Sequence, residues 1–217
     1  MIQHVFERAS MARFVQRLII ATDDDTIYDA ARRFQAPVMM TRADHASGTD
    51  RVAEVASAHP HDIVVNIQGD EPLIDPEAID TAILALLDDP QVPMATLKKQ
   101  ICDPVDITNP NVVKVVTDES GRAIYFSRSP IPYDRGGGAV YFKHIGLYVY
   151  RRDFLLGYSG MPVGPLERAE KLEQLRALEN GHSIRVEETD YDSIGVDTPE
   201  DLARVAGLVE ALVKKIG

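Results

Sequence analysis

Residues 63–72 read Ile-Val-Val-Asn-Ile-Gln-Gly-Asp-Glu-Pro, and this run indicates the class of fold. A short run of β-branched apolar residues predicts a buried strand, which the glycine and the acid before the proline end abruptly. Asp70 and Glu71 are thereby left at the carboxyl end of a strand, where open α/β sheets bind their ligands. Carboxylate oxygens at such an edge suit Mg²⁺, and a loop whose acids simply face water explains the segment equally well.

Strand and helix signals alternate along the first half of the chain. Helical spacing of apolar residues begins at Ile2 and again at Ile27, and Ser47 and Pro76 open two further predicted helices. The predicted strands are Arg17–Thr22, Pro37–Thr41 and Ile63–Ile67. Such alternation implies a parallel, right-handed βαβ sheet with helices on both faces.

The second half has a different character. Segments rich in β-formers and separated by turn signals lie at Val112–Val116, Ala123–Phe126 and Ile145–Tyr150. We then expect a long helix over Pro165–Asn180, a strand at Ile184–Val186 and a closing helix from Pro199 to about Lys215.

Composition limits the classes of function. The chain has 217 residues, enough for one sizeable domain, and its net charge of −11 argues against a general nucleic-acid binder. Six cations against one acid between Arg122 and Arg152 suit either a small anionic substrate or a solvated surface. No apolar run approaches the roughly 18 residues of a membrane span. The first residues lack the layout of a secretion signal, and a single cysteine, Cys102, fits a reducing compartment, so we expect a cytoplasmic protein.

A second acidic segment lies at Gly195–Asp201. Thr198 suits a helix N-cap, Pro199 the first helical position, and Asp201 completes a capping-box pattern. Asp197 falls outside that cap, so its carboxylate is either free beside a helix N-terminus or part of an Asx turn. Together with Asp70 it has the chemistry to hold Mg²⁺ between triphosphate oxygens and an attacking hydroxyl.

Four other groups of residues each have a chemical and a structural interpretation. Asp23–Asp25 precede a predicted helix and either bind a metal, as in glycosyltransferases, or cap the helix. Ser47–Arg51 place hydroxyls and N–H groups at another helix start, where they either contact a base or phosphate or cap that helix. Glu167, Glu170 and Gln174 form a polar helical face that accepts hydrogen bonds from a sugar or faces solvent, and His144 with Tyr148, on one face of a strand, form a binding or a packing pair.

Six motifs in order along the chain closely resemble those of the 3-deoxy-manno-octulosonate (Kdo) cytidylyltransferases. They are Thr41–Arg51, Val65–Pro72, Phe126–Pro132, His144–Tyr148, Leu172–Arg176 and Gly195–Leu202. The resemblance implies a Rossmann-like nucleotidyltransferase fold, an α/β class with a mixed sheet, flanking helices and a small β-rich subdomain for dimerisation and sugar binding. It implies one domain over residues 1–217, with 1–100 and 185–217 forming the nucleotide-binding part and about 101–184 the other.

The resemblance also implies a reaction and its residues. A cytoplasmic homodimer would make CMP-Kdo and pyrophosphate from CTP and Kdo for lipopolysaccharide biosynthesis, by in-line attack of the anomeric hydroxyl on the α-phosphorus. Asp70 and Asp197 match the family's Mg²⁺ ligands and catalytic acids. The positions around the cytidine are Gln68, Ser47, Gly48 and Arg51. The sugar-acid pocket matches Arg128, His144, Tyr148, Glu167 and Gln174, with Arg128 the natural partner of the substrate carboxylate.

One departure from the family affects what we expect. The family begins with a strand and a loop containing Arg, Gly and Lys that wraps the CTP phosphates, whereas the likeness here begins after that loop, at Met1. No glycine-rich phosphate motif occurs elsewhere in the sequence. We therefore expect weak CTP binding, low turnover and exposed apolar sheet edges. The open alternatives are a non-catalytic nucleotide-binding protein, a CMP-sialic acid synthetase-like enzyme and a metal-dependent glycosyltransferase.

Overall fold

The computed structural model describes residues 1–196 and 198–216. Within these ranges the helices are α1 Ile2–Ala9, α2 Asp25–Arg33, α3 Gly48–Ser57, α4 Pro76–Asp88, α5 Pro104–Thr108, α6 Arg152–Tyr158, α7 Pro165–Glu170, α8 Leu175–Glu179 and α9 Pro199–Ile216. The strands are β1 Ile20–Thr22, β2 Val38–Met40, β3 Ile63–Asn66, β4 Met94–Gln100, β5 Lys114–Thr117, β6 Ala123–Ser127, β7 Phe142–Arg151 and β8 Ile184–Glu188. None of the helices in those ranges combines the length and the apolar character needed to cross a bilayer.

The strands form two sheets. β1 and β2 pair in parallel, as the βαβ pattern predicts. The larger sheet has the order β6-β5-β7-β4-β8, and β3 pairs with the far end of β7. In this sheet only the β4–β8 pair is parallel among the described residues, because β7 runs antiparallel to β3, β4 and β5. The sheet is therefore mixed, as the resemblance implies, and not the all-parallel sheet that strand–helix alternation alone suggests.

The apolar core lies on both faces of the larger sheet. One cluster joins α1 and α4 to the sheet, with Ile79 and Leu86 fully buried. A second cluster lies under α6 and α8 on the other face and includes Leu155 and Leu175. This layering is the α/β arrangement that the fold class requires.

Two predicted elements differ from the structure. The strand expected at Arg17–Thr22 is paired only at Ile20–Thr22. The helix expected over Pro165–Asn180 is two short helices, α7 and α8, separated at Lys171, whose φ of 55° is left-handed. A tertiary contact favours the interruption, because the Tyr158 hydroxyl donates a 2.7 Å hydrogen bond to the backbone carbonyl of Glu173 within the turn.

Helix starts follow their local sequence closely. Asp24 caps α2 by accepting hydrogen bonds from the N–H groups of Thr26 and Ile27, which confirms the capping interpretation of this acidic run. The capping box before α9 is also present, because the Thr198 hydroxyl accepts from Asp201 N–H and the Asp201 carboxylate accepts from Thr198 N–H.

Candidate active site

The loop after β3 meets the segment that precedes α9. The N–H of Val196 donates a 3.0 Å hydrogen bond to the backbone carbonyl of Asp70. A β-carbon placed on Gly195 would lie 3.8 Å from Oδ2 of Asp70, which is ordinary contact distance. Asp197, the second predicted metal ligand, lies outside the described residues. The structure thus brings together the two chain segments that carry the predicted carboxylates.

A buried carboxylate joins the same two segments. Glu71 is 7% exposed, and it accepts hydrogen bonds from the Tyr191 hydroxyl at 3.0 Å and the Ser193 hydroxyl at 2.6 Å. Burial raises the pKa of Glu71, and the neighbouring charge of Asp70 acts in the same direction, while the two hydroxyls oppose them. Sequence reasoning missed this function of Glu71, because its partners lie about 120 residues away along the chain.

The Asp70 carboxylate suits a hard cation whose other ligands come partly from the substrate. Among residues 1–196 and 198–216 no group of three or more His, Cys, Asp or Glu side chains is placed to hold a metal ion. Mg²⁺ is commonly held by one or two carboxylates with waters and substrate phosphates completing the shell, so it does not require such a cluster. A structural zinc site, which needs four protein ligands, does not fit the described residues.

Predicted nucleotide-binding residues surround one cavity of about 690 Å³ between β1 and β3. Gly48, Arg51 and Gln68 all line this cavity. Arg51 is held by an ion pair with Asp23 at 3.0 Å and a hydrogen bond to the Thr41 hydroxyl, so its guanidinium is oriented before any ligand arrives. The structure therefore assembles three of the four predicted residues at one site.

The fourth residue, Ser47, has a capping function. Its hydroxyl oxygen accepts from Asp50 N–H at 3.2 Å, which confirms the N-cap interpretation. The same hydroxyl donates to the Glu173 carboxylate at 3.0 Å, and the Thr49 hydroxyl donates to the other oxygen at 2.9 Å. Glu173 thus ties the start of α3 to the turn before α8, linking the predicted nucleotide and sugar regions. Glu173 lies within the Leu172–Arg176 motif, but its neighbours in sequence do not indicate this function.

His144 and Tyr148 lie together on one face of β7, as the two-residue period predicts. Their ring centroids are 5.4 Å apart, and Phe126 contacts the imidazole edge-on at 5.0 Å. Nε2 of His144 lies 3.0 Å from the Thr96 hydroxyl. Burial lowers the pKa of His144 to about 3 and raises that of Tyr148, so both groups are neutral near pH 7 and interact as hydrogen-bonding and packing groups.

Arg128 and Glu167 are already engaged by protein groups. The Arg128 side chain donates to the backbone carbonyls of Glu170 and Pro110 at 2.8 and 2.9 Å. The Glu167 carboxylate forms a two-point ion pair with Arg176, with N–O distances of 2.9 and 2.6 Å. These contacts position the Arg128 guanidinium and largely occupy the Glu167 carboxylate. That Arg128 and Glu167 bind a sugar stays a prediction.

Gln174 differs from its neighbours. It is 3% exposed, and its Nε2 is the buried side-chain nitrogen that lacks a hydrogen-bond partner within the described part of the chain. A buried unpaired donor costs about 1 to 3 kcal/mol, so proteins rarely retain one without a purpose. This orphan donor is consistent with the predicted function of Gln174 in contacting a ligand.

Comparisons with known proteins indicate the same family as the sequence motifs. The cytidylyltransferase family model matches residues 1–184. A 3-deoxy-manno-octulosonate cytidylyltransferase from Solibacter usitatus is 66% identical over 98% of this chain and 85% of its own length. One from Syntrophotalea carbinolica is 54% identical over 98% and 89%.

Solved structures agree with these relatives. A CMP:2-keto-3-deoxy-manno-octonic acid synthetase complexed with CTP aligns with a TM-score of 0.93 and 45% identity over 97% of this chain and 87% of its own. A 4-diphosphocytidyl-2C-methyl-D-erythritol synthase from Anaerococcus prevotii, at 13% identity and a TM-score of 0.63, shares the fold alone. The assembled site and these likenesses agree, and the chain belongs to the 3-deoxy-manno-octulosonate cytidylyltransferases, a family of nucleotidyltransferases with a Rossmann-like fold.

Proposed function

We propose that the protein transfers CMP from CTP to Kdo and releases pyrophosphate. The observation that carries this proposal is the contact between the Asp70 loop and Val196, next to a cavity lined by Gly48, Arg51 and Gln68. The names of the close relatives support Kdo over a sialic acid as the acceptor and support an enzyme over a non-catalytic binding protein.

We propose Asp70 and Asp197 as the carboxylates that hold Mg²⁺. The ion, when bound, neutralises triphosphate charge and lowers the pKa of the attacking hydroxyl. Adjacency in sequence supports Asp197, because it follows Val196, whose N–H is bonded to Asp70. Buried Glu71 holds the two segments together by accepting hydrogen bonds from Tyr191 and Ser193, next to the half-buried Asp70.

The remaining side chains bind and orient the substrates. Gln68, with Ser47, Gly48 and Arg51 at the start of α3, would contact the cytidine, and the oriented Arg51 guanidinium is restrained by Asp23. Arg128 would meet the carboxylate of the sugar acid. Gln174 would donate its unpaired N–H to a sugar hydroxyl, and neutral His144 with Tyr148 would form a packed wall. Since no covalent intermediate is needed, catalysis depends on positioning and electrostatics.

The proposal extends to the oligomeric state and the location of the protein. We propose a homodimer that associates through the β-rich part of the chain, and a cytoplasmic location that gives access to CTP. Supporting the second are the single cysteine and the absence, in the described ranges, of a helix able to cross a membrane.

Pyrophosphate release from CTP, Kdo and Mg²⁺ tests the proposal. We expect Kdo-dependent release that Asp70→Asn lowers by at least about a hundredfold, a loss typical of removing one charge-stabilising group. Asp88→Asn, the same change at an exposed residue of α4, should leave the rate unaltered. Release with a sialic acid and not with Kdo would overturn the acceptor. CTP binding by calorimetry without release with either acid would overturn the proposed catalysis.

A further inference from the structure

Lys114, the first residue of β5, is a lysine without exposed surface. Its exposed fraction is 0%, whereas lysines are almost never fully buried unless their charge has partners. The ammonium donates hydrogen bonds of 2.9, 2.6 and 2.7 Å to the backbone carbonyls of Asn109, Val112 and Arg128. An ammonium has three N–H groups, so each of them has an acceptor. None of the proposed steps of the reaction uses this buried charge.

The three carbonyls belong to two separate segments. Asn109 and Val112 lie in the loop before β5, and Arg128 follows directly after β6. The paired ladder of these two strands ends at Lys114 and Ser127, so Arg128 lies just beyond it. The Lys114 ammonium therefore continues the connection between the two segments where the backbone pairing of β5 and β6 stops.

The side chain of Arg128 is attached to the same loop. Its Nη1 donates a 2.9 Å hydrogen bond to the backbone carbonyl of Pro110, which lies between Asn109 and Val112. Lys114 thus holds the backbone from which the Arg128 side chain begins, and also the loop to which the guanidinium is bonded. A shift of either segment would move the guanidinium.

Glu170, at the end of α7, holds Arg128 from the other side. Its carboxylate accepts from the Arg128 backbone N–H at 2.9 Å and from the Ser127 hydroxyl at 2.6 Å, and its backbone carbonyl accepts from Arg128 Nε at 2.8 Å. Burial lowers the pKa of Lys114, the Glu170 charge opposes this shift and the Arg128 charge adds to it. The three charges therefore lie close enough to influence one another.

Arg128 keeps hydrogen-bonding capacity for an anion. Two of its five N–H groups, at Nε and Nη1, donate to carbonyls, and the other three have no acceptor among the described residues. Phe126, two residues earlier, contacts the ring of His144 with 5.0 Å between the centroids. The half-buried guanidinium therefore lies close to the residues predicted for the sugar acid, and its side-chain partners are neutral carbonyls.

We propose that Lys114 is a positioning residue for Arg128, holding its backbone carbonyl and the loop 109–112 so that the guanidinium meets the carboxylate of the sugar acid in a fixed geometry. This inference rests on the proposed function, because it takes that carboxylate as the partner of Arg128. With no exposed surface, Lys114 does not touch the substrate, and its effect on binding passes through Arg128. Guanidinium–carboxylate pairs depend on alignment, so a guanidinium oriented in advance binds the carboxylate more tightly.

Lys114→Met tests the proposal, and Arg151→Met is its matched control. The first change removes the three donors at similar side-chain length. Arg151, which pairs with the first residue of β3, is likewise a cation that holds three backbone carbonyls, those of Leu86, Asp89 and Val92. Both variants leave three carbonyls without their cation, so both should unfold at lower urea concentration than wild type. Only Lys114→Met should alter Arg128.

Hydrogen exchange of the Arg128 Nε–H with water, measured by NMR, tests the positioning in the absence of any ligand. We expect this exchange to be at least about tenfold faster in Lys114→Met, because the guanidinium loses its fixed position against the Glu170 carbonyl. In Arg151→Met the rate should equal that of wild type. An unchanged rate in Lys114→Met would contradict the proposal directly.

Calorimetric titration with Kdo tests the effect on the substrate. The dissociation constant should rise at least about tenfold in Lys114→Met and stay within about twofold of wild type in Arg151→Met. In an Arg128→Met background, Lys114→Met should add no further loss, because it acts only through Arg128. The carboxamide of Kdo lacks the anionic group, so the preference of wild type for Kdo over the carboxamide should decrease in Lys114→Met and persist in Arg151→Met.

Equal losses of Kdo affinity in Lys114→Met and Arg151→Met, or additive losses in the double variant with Arg128→Met, would overturn the inference, since Lys114 would then only stabilise the fold. A wild-type chain that binds no Kdo would overturn the proposed function instead, and the exchange rate of the Arg128 Nε–H would still decide whether Lys114 positions that side chain.

Discussion

The Tyr191 hydroxyl donates a 3.0 Å hydrogen bond to the Glu71 carboxylate, and this contact ties the loop after β3 to the segment that leads into α9. Glu71 neighbours Asp70 in sequence, and Tyr191 lies shortly before Val196, which bonds to the Asp70 carbonyl. The buried carboxylate of Glu71 thus supports the loop that carries the half-buried Asp70. Burial also raises the pKa of the Tyr191 hydroxyl, which keeps it a donor.

Glu71 should make stability depend on pH. Because burial raises its pKa above the ordinary 4.5, the folded chain binds this proton more tightly than the unfolded chain. Its contribution is fully present below about pH 4.5 and is lost as the pH rises through the folded-state pKa. We expect wild type to lose stability relative to Glu71→Gln over this window, in urea unfolding at a series of pH values.

The matched change Glu77→Gln, at an exposed position of α4, serves as the control for that comparison. If the difference between wild type and Glu71→Gln stays constant across the window, the carboxyl group does not titrate as the structure requires.

Replacing Gln174 should separate stability from ligand binding. Gln174→Leu removes the unpaired buried donor at similar volume, so the free energy of unfolding should stay level or rise by about 1 kcal/mol. Affinity for Kdo, titrated by calorimetry, should fall about tenfold, since a hydrogen bond to the sugar is lost. Gln91→Leu, at an exposed position, controls for added surface apolarity. A loss of stability with unchanged affinity would make Gln174 a packing residue.

Glu167 should contribute mainly to the free energy of unfolding. Its side chain and that of Arg176 are 11% and 12% exposed, so Glu167→Gln removes the nearer anion of a buried guanidinium and leaves only the Glu173 carboxylate at 4.0 Å. We expect a loss of about 3 to 5 kcal/mol in urea unfolding. Glu187→Gln breaks the more exposed pair with Arg185 and should cost about 1 kcal/mol or less.

A sugar-binding function for Glu167 makes a different prediction from the ion pair alone. If the folded variant keeps wild-type stability and loses Kdo affinity, the carboxylate acts on the ligand and the ion pair with Arg176 is weak.

Asp24 should act as a helix cap and not as a metal ligand. Asp24→Ala removes the acceptor for two N–H groups at the start of α2 and should lower the midpoint of thermal unfolding. Asp24→Asn, which retains a capping oxygen, should restore most of it. The two N–H groups lower the pKa of Asp24, so the stabilising effect should disappear as the pH falls below the ordinary 3.8. Loss of nucleotide-dependent activity in both variants, with normal stability, would support the glycosyltransferase alternative.

Local signals predicted most elements accurately. The strand at Ile63–Ile67 is observed at Ile63–Asn66, and helices begin where Ser47 and Pro76 predict. Each of these depends on side chains within a few residues of the boundary, such as the Ser47 hydroxyl that accepts from Asp50. The same holds for His144 and Tyr148, because a two-residue period directly specifies a shared strand face.

Long-range contacts account for what the sequence did not reveal. The break at Lys171 accompanies a contact of Tyr158 with the turn after α7, and a helical pattern contains no trace of it. The contacts of Glu173 could not be predicted locally, because its partners Ser47 and Thr49 lie at the start of α3, 126 and 124 residues away along the chain.

Sequence by itself determined the family, the alternation of strands and helices, the caps and the identity of the candidate carboxylates, because each depends on neighbouring residues or on motif spacing. Only the tertiary structure decided that β7 runs antiparallel to β3, that Glu71 joins the Asp70 loop to the segment before α9, and that one cavity lies between β1 and β3. Those properties arise from the pairing of segments distant along the chain, whose burial and hydrogen bonds exist only once the chain has folded.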